Sequence, residues 1–218
     1  MALALAAGAP AAAQDAAPTE KLSLKPHRVK GLLLGYGYTV GEFTGEVRTR
    51  AASTRAVVYE SDTSTTVFTV ASPRFTTPMT VTCAGGQTWA GLGWIEFHRK
   101  DLAYVCRFEG GPPDAAFALA LSEAGVLSTL YQPQRAAELT FDGVAVRAIT
   151  RKVAGAMPVS GGRTLSYKIF KDDREIGGLV RGVMQPTFYL PPQGDPNREA
   201  AAVMALALFF FADPSDRQ

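Results

Sequence analysis

Histidine and cysteine are almost absent from this 218-residue chain, at two residues each, and their scarcity removes whole classes of chemistry. A structural or catalytic zinc ion needs three or four ligands drawn from Cys, His, Asp and Glu. His27 and His98 with two well-separated cysteines, Cys83 and Cys106, make no such set. A Ser-His-Asp hydrolase would have to use His98, because His27 lies in a basic leader, and no G-x-S-x-G elbow occurs to expose a serine. No Gly-Lys-Ser/Thr phosphate loop occurs either. Gly35-Tyr-Gly37-Tyr-Thr-Val-Gly41 has the spacing G-x-G-x-x-x-G and runs on into strand-like residues, so it lacks the helix N-terminus that would hold a pyrophosphate. The Asp172-Asp173 pair sits in a polar turn, which accounts for it without chemistry. The chain reads as a non-enzymatic protein with no metal and no cofactor. The rival is a hydrolase or transferase built around His98 or Asp114.

Charge is also scarce. Charged residues are 19% of the chain and the formal net charge is +2, which implies no nucleic-acid partner. With 47% hydrophobic residues there is enough apolar material for a sizeable core, and the composition is not that of a disordered chain. The charge is unevenly placed, however. Lys21, Lys25, Arg28, Lys30, Arg48, Arg50 and Arg55 face only Glu42 and Glu46 in the same stretch. This is either a solvated basic segment or a patch for an anionic surface such as lipid headgroups. Arg48 and Arg50 alternate onto one strand face with Arg55 close by in sequence, so these three are the candidate ligand contacts. Tyr36, Tyr38 and Phe43 are then either an interfacial aromatic rim or core residues. Trp89 and Trp94 fall on opposite strand faces.

The N-terminus lacks the basic residues that open an export signal, since no Lys or Arg precedes Lys21. It nevertheless has an apolar Ala2–Ala7 and an A-x-A cleavage site at Ala11-Ala12-Ala13. Residues 1–13 read as a truncated signal peptide or an Ala-rich leader, residues 14–27 as a flexible basic leader, and residues 28–218 as a single domain. Export would place the protein in the periplasm or cell envelope. In such a compartment Cys83 and Cys106 are expected to form a disulfide. Strand alternation points both sulfurs at apolar surroundings, though a simple hairpin does not set them opposite each other, which leaves two buried thiols as the other outcome.

Most of the chain alternates with period two, the mark of strands. Ala136–Phe141 and Val144–Thr150 flank Asp142-Gly143, whose residues tolerate positive φ, so a hairpin is expected there. Leu139, Phe141, Val144, Val146 and Ala148 would share its buried face. Leu165–Phe170 and Glu175–Val183 flank a polar turn, with Gly177-Gly178 marking a bulge or bend, and Thr187–Leu190 follows. Earlier candidates are Leu32–Val40, Arg55–Glu60, Thr65–Ala71, Met79–Cys83, Thr88–His98, Leu102–Phe108, Phe117–Leu121 and Val126–Tyr131. These segments amount to about 12 strands.

The one long hydrophobic run, Ala200 to Ala212, has no polar face at any helical period. It is too short to cross a bilayer, which takes about 20 residues. Asp195 is placed to cap a helix and Pro196 to open it, and Pro214 stops it, which predicts a helix over 196–212. Phe209, Phe210 and Phe211 would point about 100° apart, and no flat sheet covers all three. A closed antiparallel barrel of about 12 strands is wide enough to hold such a helix. The alternatives are a two-layer α+β packing or a helix at a dimer interface.

The succession of Leu165–Phe170, a polar turn, Glu175-Ile176-Gly177, the short strand Phe188-Tyr189-Leu190, an acidic cap and an apolar helix to Phe211 resembles the tubby C-terminal-like superfamily. That group includes the LURP-one-related and phospholipid scramblase proteins. The resemblance covers about the last 55 residues. It implies a barrel closed around its C-terminal helix, an interaction with membrane lipid, and a ligand site on the outer face or rim. None of the headgroup-holding residues of that group is matched. The expectation is an exported, non-enzymatic envelope protein that binds lipid or another anionic amphiphile. The alternative is a structural or protein-interaction module with no small ligand.

Overall fold

Period-two alternation along most of the chain, with apolar side chains on one face only, calls for a sheet that buries one side and wets the other. The computed structural model, which describes residues 17–30, 35–56, 59–85, 102–121, 135–151, 165–181 and 185–211, has this form. Its strands are β1 (Glu20–Ser23), β2 (Lys25–His27), β3 (Tyr36–Val40), β4 (Phe43–Ala56), β5 (Tyr59–Val70), β6 (Met79–Ala84) and β7 (Leu102–Glu109). Then follow β8 (Ala116–Leu121), β9 (Arg135–Phe141), β10 (Val144–Thr150), β11 (Leu165–Lys171), β12 (Arg174–Arg181) and β13 (Thr187–Leu190). One helix, α1 (Arg198–Phe210), ends the described chain.

All 13 strands form one antiparallel sheet in the order β1-β13-β12-β11-β10-β9-β8-β7-β6-β5-β4-β3-β2. Its two edges are consecutive in sequence. β1 pairs with β13 and β2 pairs with β3, with only Leu24 between them. The chain itself thus joins the edges and the barrel is nearly closed. Counting β1 and β2 as one interrupted stave gives the expected 12. The closing stave corrects the leader expected over 14–27, because residues 20–27 belong to the barrel wall. Leu24 is buried and Leu22 packs on the core, while Lys21 and Lys25 point outward. Apolar burial in this stave is thus confined to residues 22–24, and Lys25, Pro26 and His27 stay exposed on the wall as their composition suggests. The expected signal peptide at 1–13 lies outside the described residues.

The hairpin signals are borne out. β9 and β10 are joined at Asp142 and Gly143, both at positive φ. Leu139, Phe141, Val146 and Ala148 are buried together. β11 and β12 turn at Asp172, also at positive φ. The expected irregularity lies beside the glycine pair. Ile169 faces Gly177 and Phe170 faces Glu175, so Ile176 is the bulged residue. Gly177 is needed for close approach, since a Cβ there would stand 2.5 Å from the Tyr189 carbonyl oxygen. The strand read over Arg55–Glu60 is corrected, because these residues straddle the connection between β4 and β5 and pair with each other, Arg55 opposite Glu60. Thr88–His98 and Val126–Tyr131 lie outside the described residues.

Cys83 and Cys106 form a disulfide. β6 pairs directly with β7, and the two cysteines are cross-strand partners with Cα atoms 4.0 Å apart, contrary to the register expected of a simple hairpin. Both are buried. The bond closes a sequence separation of 23 residues, worth about 3 kcal/mol by constraining the unfolded chain. Replacing both cysteines with alanine is expected to lower Tm by roughly 10 °C in calorimetry. A change under about 2 °C would show that the bond does not constrain the unfolded chain.

α1 fills the barrel. Ala200 through Leu208 and Phe210 are all buried. The five alanines of this helix keep its girth small enough for the strands to surround it. The three phenylalanines meet three different walls. Phe210 lies 5.0 Å by ring centroids from both Tyr38 and Phe68, Phe211 lies 4.7 Å from Tyr104, and Phe209 lies 5.7 Å from Phe188. The start is corrected by two residues. Asn197, not Asp195, is the cap residue, and it makes no side-chain capping bond. Asp195 instead accepts from the Asn197 backbone and side-chain amides, shaping the turn before the helix. Among the described residues no helix is long and apolar enough to cross a membrane.

Candidate functional site at the two barrel ends

The connections sort by end. At the end where α1 begins, β3–β4, β9–β10 and β11–β12 are joined by two-residue turns. At the opposite end, where α1 finishes, β2, β6, β8, β10 and β12 stop and β3, β7, β9, β11 and β13 begin. These are termed the turn end and the loop end.

Charge sorts the same way in part. Glu42, Asp114, Asp142, Asp172, Asp195 and Glu199 sit at the turn end, together with the cations Arg74, Lys171, Arg174 and Arg198. At the loop end Arg28, Lys30, Arg48 and Arg151 are exposed and Arg181 is half-buried. Arg48 stands 3.9 Å from Glu46. Among the described residues no carboxylate lies within ion-pair distance of Arg28, Lys30, Arg151 or Arg181. Tyr36, the exposed large hydrophobic residue, is at the same end, and partial burial raises its hydroxyl pKa above the usual value.

The three arginines expected to bind ligand do not converge. β4 pairs with β5 without a break from Val47 to Ala56, so positions 48 and 50 fall on one face of the ladder and position 55 on the other. About 23 Å of strand separates 48 from 55. Of the two readings for the aromatics, core holds for two of the three. Tyr38 and Phe43 are fully buried, and the Tyr38 hydroxyl donates to the Thr69 carbonyl at 2.7 Å. Desolvation pushes the Tyr38 pKa far up. Only Tyr36 remains for a rim. Asp114, singled out with His98 for hydrolysis, accepts the Asp142 and Gly143 amides at 3.1 and 2.7 Å, and so holds the β9–β10 turn. Asp172 and Asp173 pair with Lys171 and Arg147. His98, Trp89 and Trp94 lie outside the described residues, and His27 is exposed on β2.

Two arginines that the sequence did not single out bracket the helix. At its start Arg198 is 1% exposed. Its Nε donates to Glu42 at 2.5 Å and its Nη2 to Glu42 at 2.8 Å, with Glu20 2.9 Å away and the Pro191 carbonyl on Nη1. The hydrogen bonds from Arg198 hold the Glu42 pKa below the ordinary carboxylate value. At the helix's other end Arg135, 4% exposed, stacks over Phe211 at 5.1 Å and reaches the Tyr167 hydroxyl at 3.5 Å. Thr66 donates to the Phe210 carbonyl at 3.4 Å. Burial pushes the nearby Tyr104 hydroxyl up to about 12.

The turn end also holds a cleft of about 520 Å³. Its walls come from the β5–β6 and β7–β8 connections, the β9–β10 turn and the first turn of α1. Phe75, Met79, Phe141, Val144, Pro112 and Pro113 supply apolar surface. Arg74 spans its rim, with Nη1 3.1 and 3.0 Å from the two oxygens of Glu199. A shallower depression of about 480 Å³ lies on the outer wall beside Arg147 and Asp173. Among the described residues no group of three or more His, Cys, Asp or Glu is placed to hold a metal.

Set against family models, curated proteins and solved structures, the chain matches none.

Proposed function

We propose that this protein is an exported, non-enzymatic envelope protein that docks the loop end of its barrel on an anionic lipid surface, in the manner its resemblance to tubby-like barrels implies. The separation of charge carries this reading. Arg28, Lys30, Arg48, Arg151 and Arg181 surround the loop end together with the exposed Tyr36, with Glu46 beside Arg48, while most carboxylates lie at the far end, where Arg74, Lys171 and Arg198 pair with some of them. Cations on one end of a rigid body orient it on a negative surface, at about 1 kcal/mol for each residue that reaches the headgroups. A tyrosine beside them suits the interface, where its ring meets apolar chains and its hydroxyl stays wet. The disulfide is compatible with an oxidising compartment, and so with export.

Co-sedimentation with vesicles tests this proposal. The chain is expected to bind vesicles rich in phosphatidylglycerol at low salt and to leave them as salt shortens the Debye length. It should ignore pure phosphatidylcholine. Arg28→Ser, Arg48→Ser and Arg151→Ser together should weaken binding about 100-fold. Equal binding to both vesicle types would refute lipid docking, and a salt-insensitive protein partner would favour the interaction module.

A further inference from the structure

The docking surface proposed above lies at the loop end, which leaves the cleft at the turn end open to a second ligand. We infer that this cleft is a binding site for an amphiphile with a cationic head, an ammonium group carried on an apolar chain. At about 520 Å³ it falls within the ~300–1,000 Å³ range of small-molecule sites. Its apolar wall is contributed by segments far apart in sequence. The Phe75 and Phe141 rings lie 5.7 Å apart and are tilted by 52°, with Met79 and Val144 beside them and Pro112, Pro113 and Pro196 along the sides. Gly111 keeps the wall open here, since a Cβ at that position would stand 2.5 Å from the Met79 sulfur. Phe75 is half-buried, so a ligand can reach its ring.

Charge selects the head group. Arg74, the cation at the rim, is already neutralised by both oxygens of Glu199. Asp142 lines the cleft with its carboxylate unpaired among the described residues, and Asp114 sits directly behind the same turn. The helix N-terminus contributes roughly half a positive charge, less than these two carboxylates supply. An anion entering the cleft meets net repulsion. An ammonium meets Asp142 beside the Phe75–Phe141 pair, and a carboxylate with aromatic rings is a combination that recognises alkylated ammonium groups elsewhere.

Titration calorimetry with dodecyltrimethylammonium below its micelle concentration, in parallel with dodecanoate and dodecyl maltoside, tests the assignment without vesicles. Saturable one-to-one binding of the ammonium is expected, with dodecanoate at least ten times weaker. Asp142→Asn keeps a residue that accepts positive φ and should weaken the ammonium about 5-fold while leaving the maltoside unchanged. Phe75→Ala should weaken both. A shift of the Met79 methyl resonance would place the ligand. The proposal falls if dodecanoate binds as tightly as the ammonium, if neither variant changes affinity, or if only a basic apolar peptide binds. These titrations leave the loop end untouched, so their failure and the failure of vesicle docking are separate results.

Discussion

Replacing Glu42 with alanine is expected to destabilise the barrel by about 3–5 kcal/mol, the effect of leaving a buried charge without its partner. Arg198 occupies the first turn of α1, where the helix dipole disfavours a cation. It is tolerated there because Glu42 takes two of its N–H groups while Glu20 and the Pro191 carbonyl take one each. One guanidinium thereby ties the β3–β4 turn, the closing stave, the end of β13 and the helix together. Glu20 is more exposed than Glu42, at 42% against 20% for the side chains, so water replaces Glu20 more readily. Adding Arg198→Met to Glu42→Ala should recover more than half of the loss, because the charge then leaves along with its partner. Urea denaturation of the two single variants and the double variant reads this as a large non-additive coupling. Simple additivity would mean that the four contacts are not one unit. The same pair sets a pH dependence. The pKa of Glu42 is lowered in the folded state from 4.5, so its contribution is complete above that value and is lost as pH falls through the lower, folded-state pKa. Wild-type Tm should therefore fall more steeply than that of Glu42→Gln below about pH 4.5.

The parts of this architecture that could be read from sequence are those written in local chemistry. Asp142-Gly143 and the Asp172 turn announce hairpins because few residues accept positive φ. The uniformly apolar helix announces enclosure because it has no face to offer water. The misreadings share a different origin, in that each depends on what lies across the sheet. Residues 20–27 look solvated until β13 and β3 are placed on either side of them. Arg55 looks like part of a basic patch until the register sets it opposite Glu60. The Cys83–Cys106 bond is expected from the sequence, but the register that sets the two opposite each other depends on β6 and β7 being neighbours, which no local signal states. The cleft is assembled from four connections between residues 74 and 200, and its charge emerges only when their ends are brought together.

The two ends of the barrel and the helix inside it are electrically matched. α1 points its positive N-terminus at the end where the carboxylates collect, and its negative C-terminus at the end where the cations collect. Arg135 near Phe211 adds to that match; against it, Arg74, Lys171, Arg174 and Arg198 are cations at the helix's N-terminal end, and Glu42 and Glu20 offset the buried one, Arg198. The helix therefore opposes part of the field the two ends create, which lowers the cost of segregating charge along the axis. Segregation of this kind is what an oriented docking surface requires.

Four consecutive helix positions, Val203, Met204, Ala205 and Leu206, are each 0% exposed, and at about 100° per residue they point around the full circumference. Every one of them should therefore be sensitive. Val203→Ala is expected to cost about 2 kcal/mol, and Met204→Ala and Leu206→Ala about 2–5 kcal/mol each, through lost burial and the cavities left behind. Ala205→Leu should cost about 1–3 kcal/mol through overpacking, since the wall has no room for the added atoms. A helix lying on one layer of sheet, or exposed along a stripe, would leave at least one of the four within about 0.5 kcal/mol of wild type. Urea unfolding of the four variants separates these outcomes. A single neutral position would mean that the strands do not surround the helix, and the physical reason for a 12-stave wall would be lost with it.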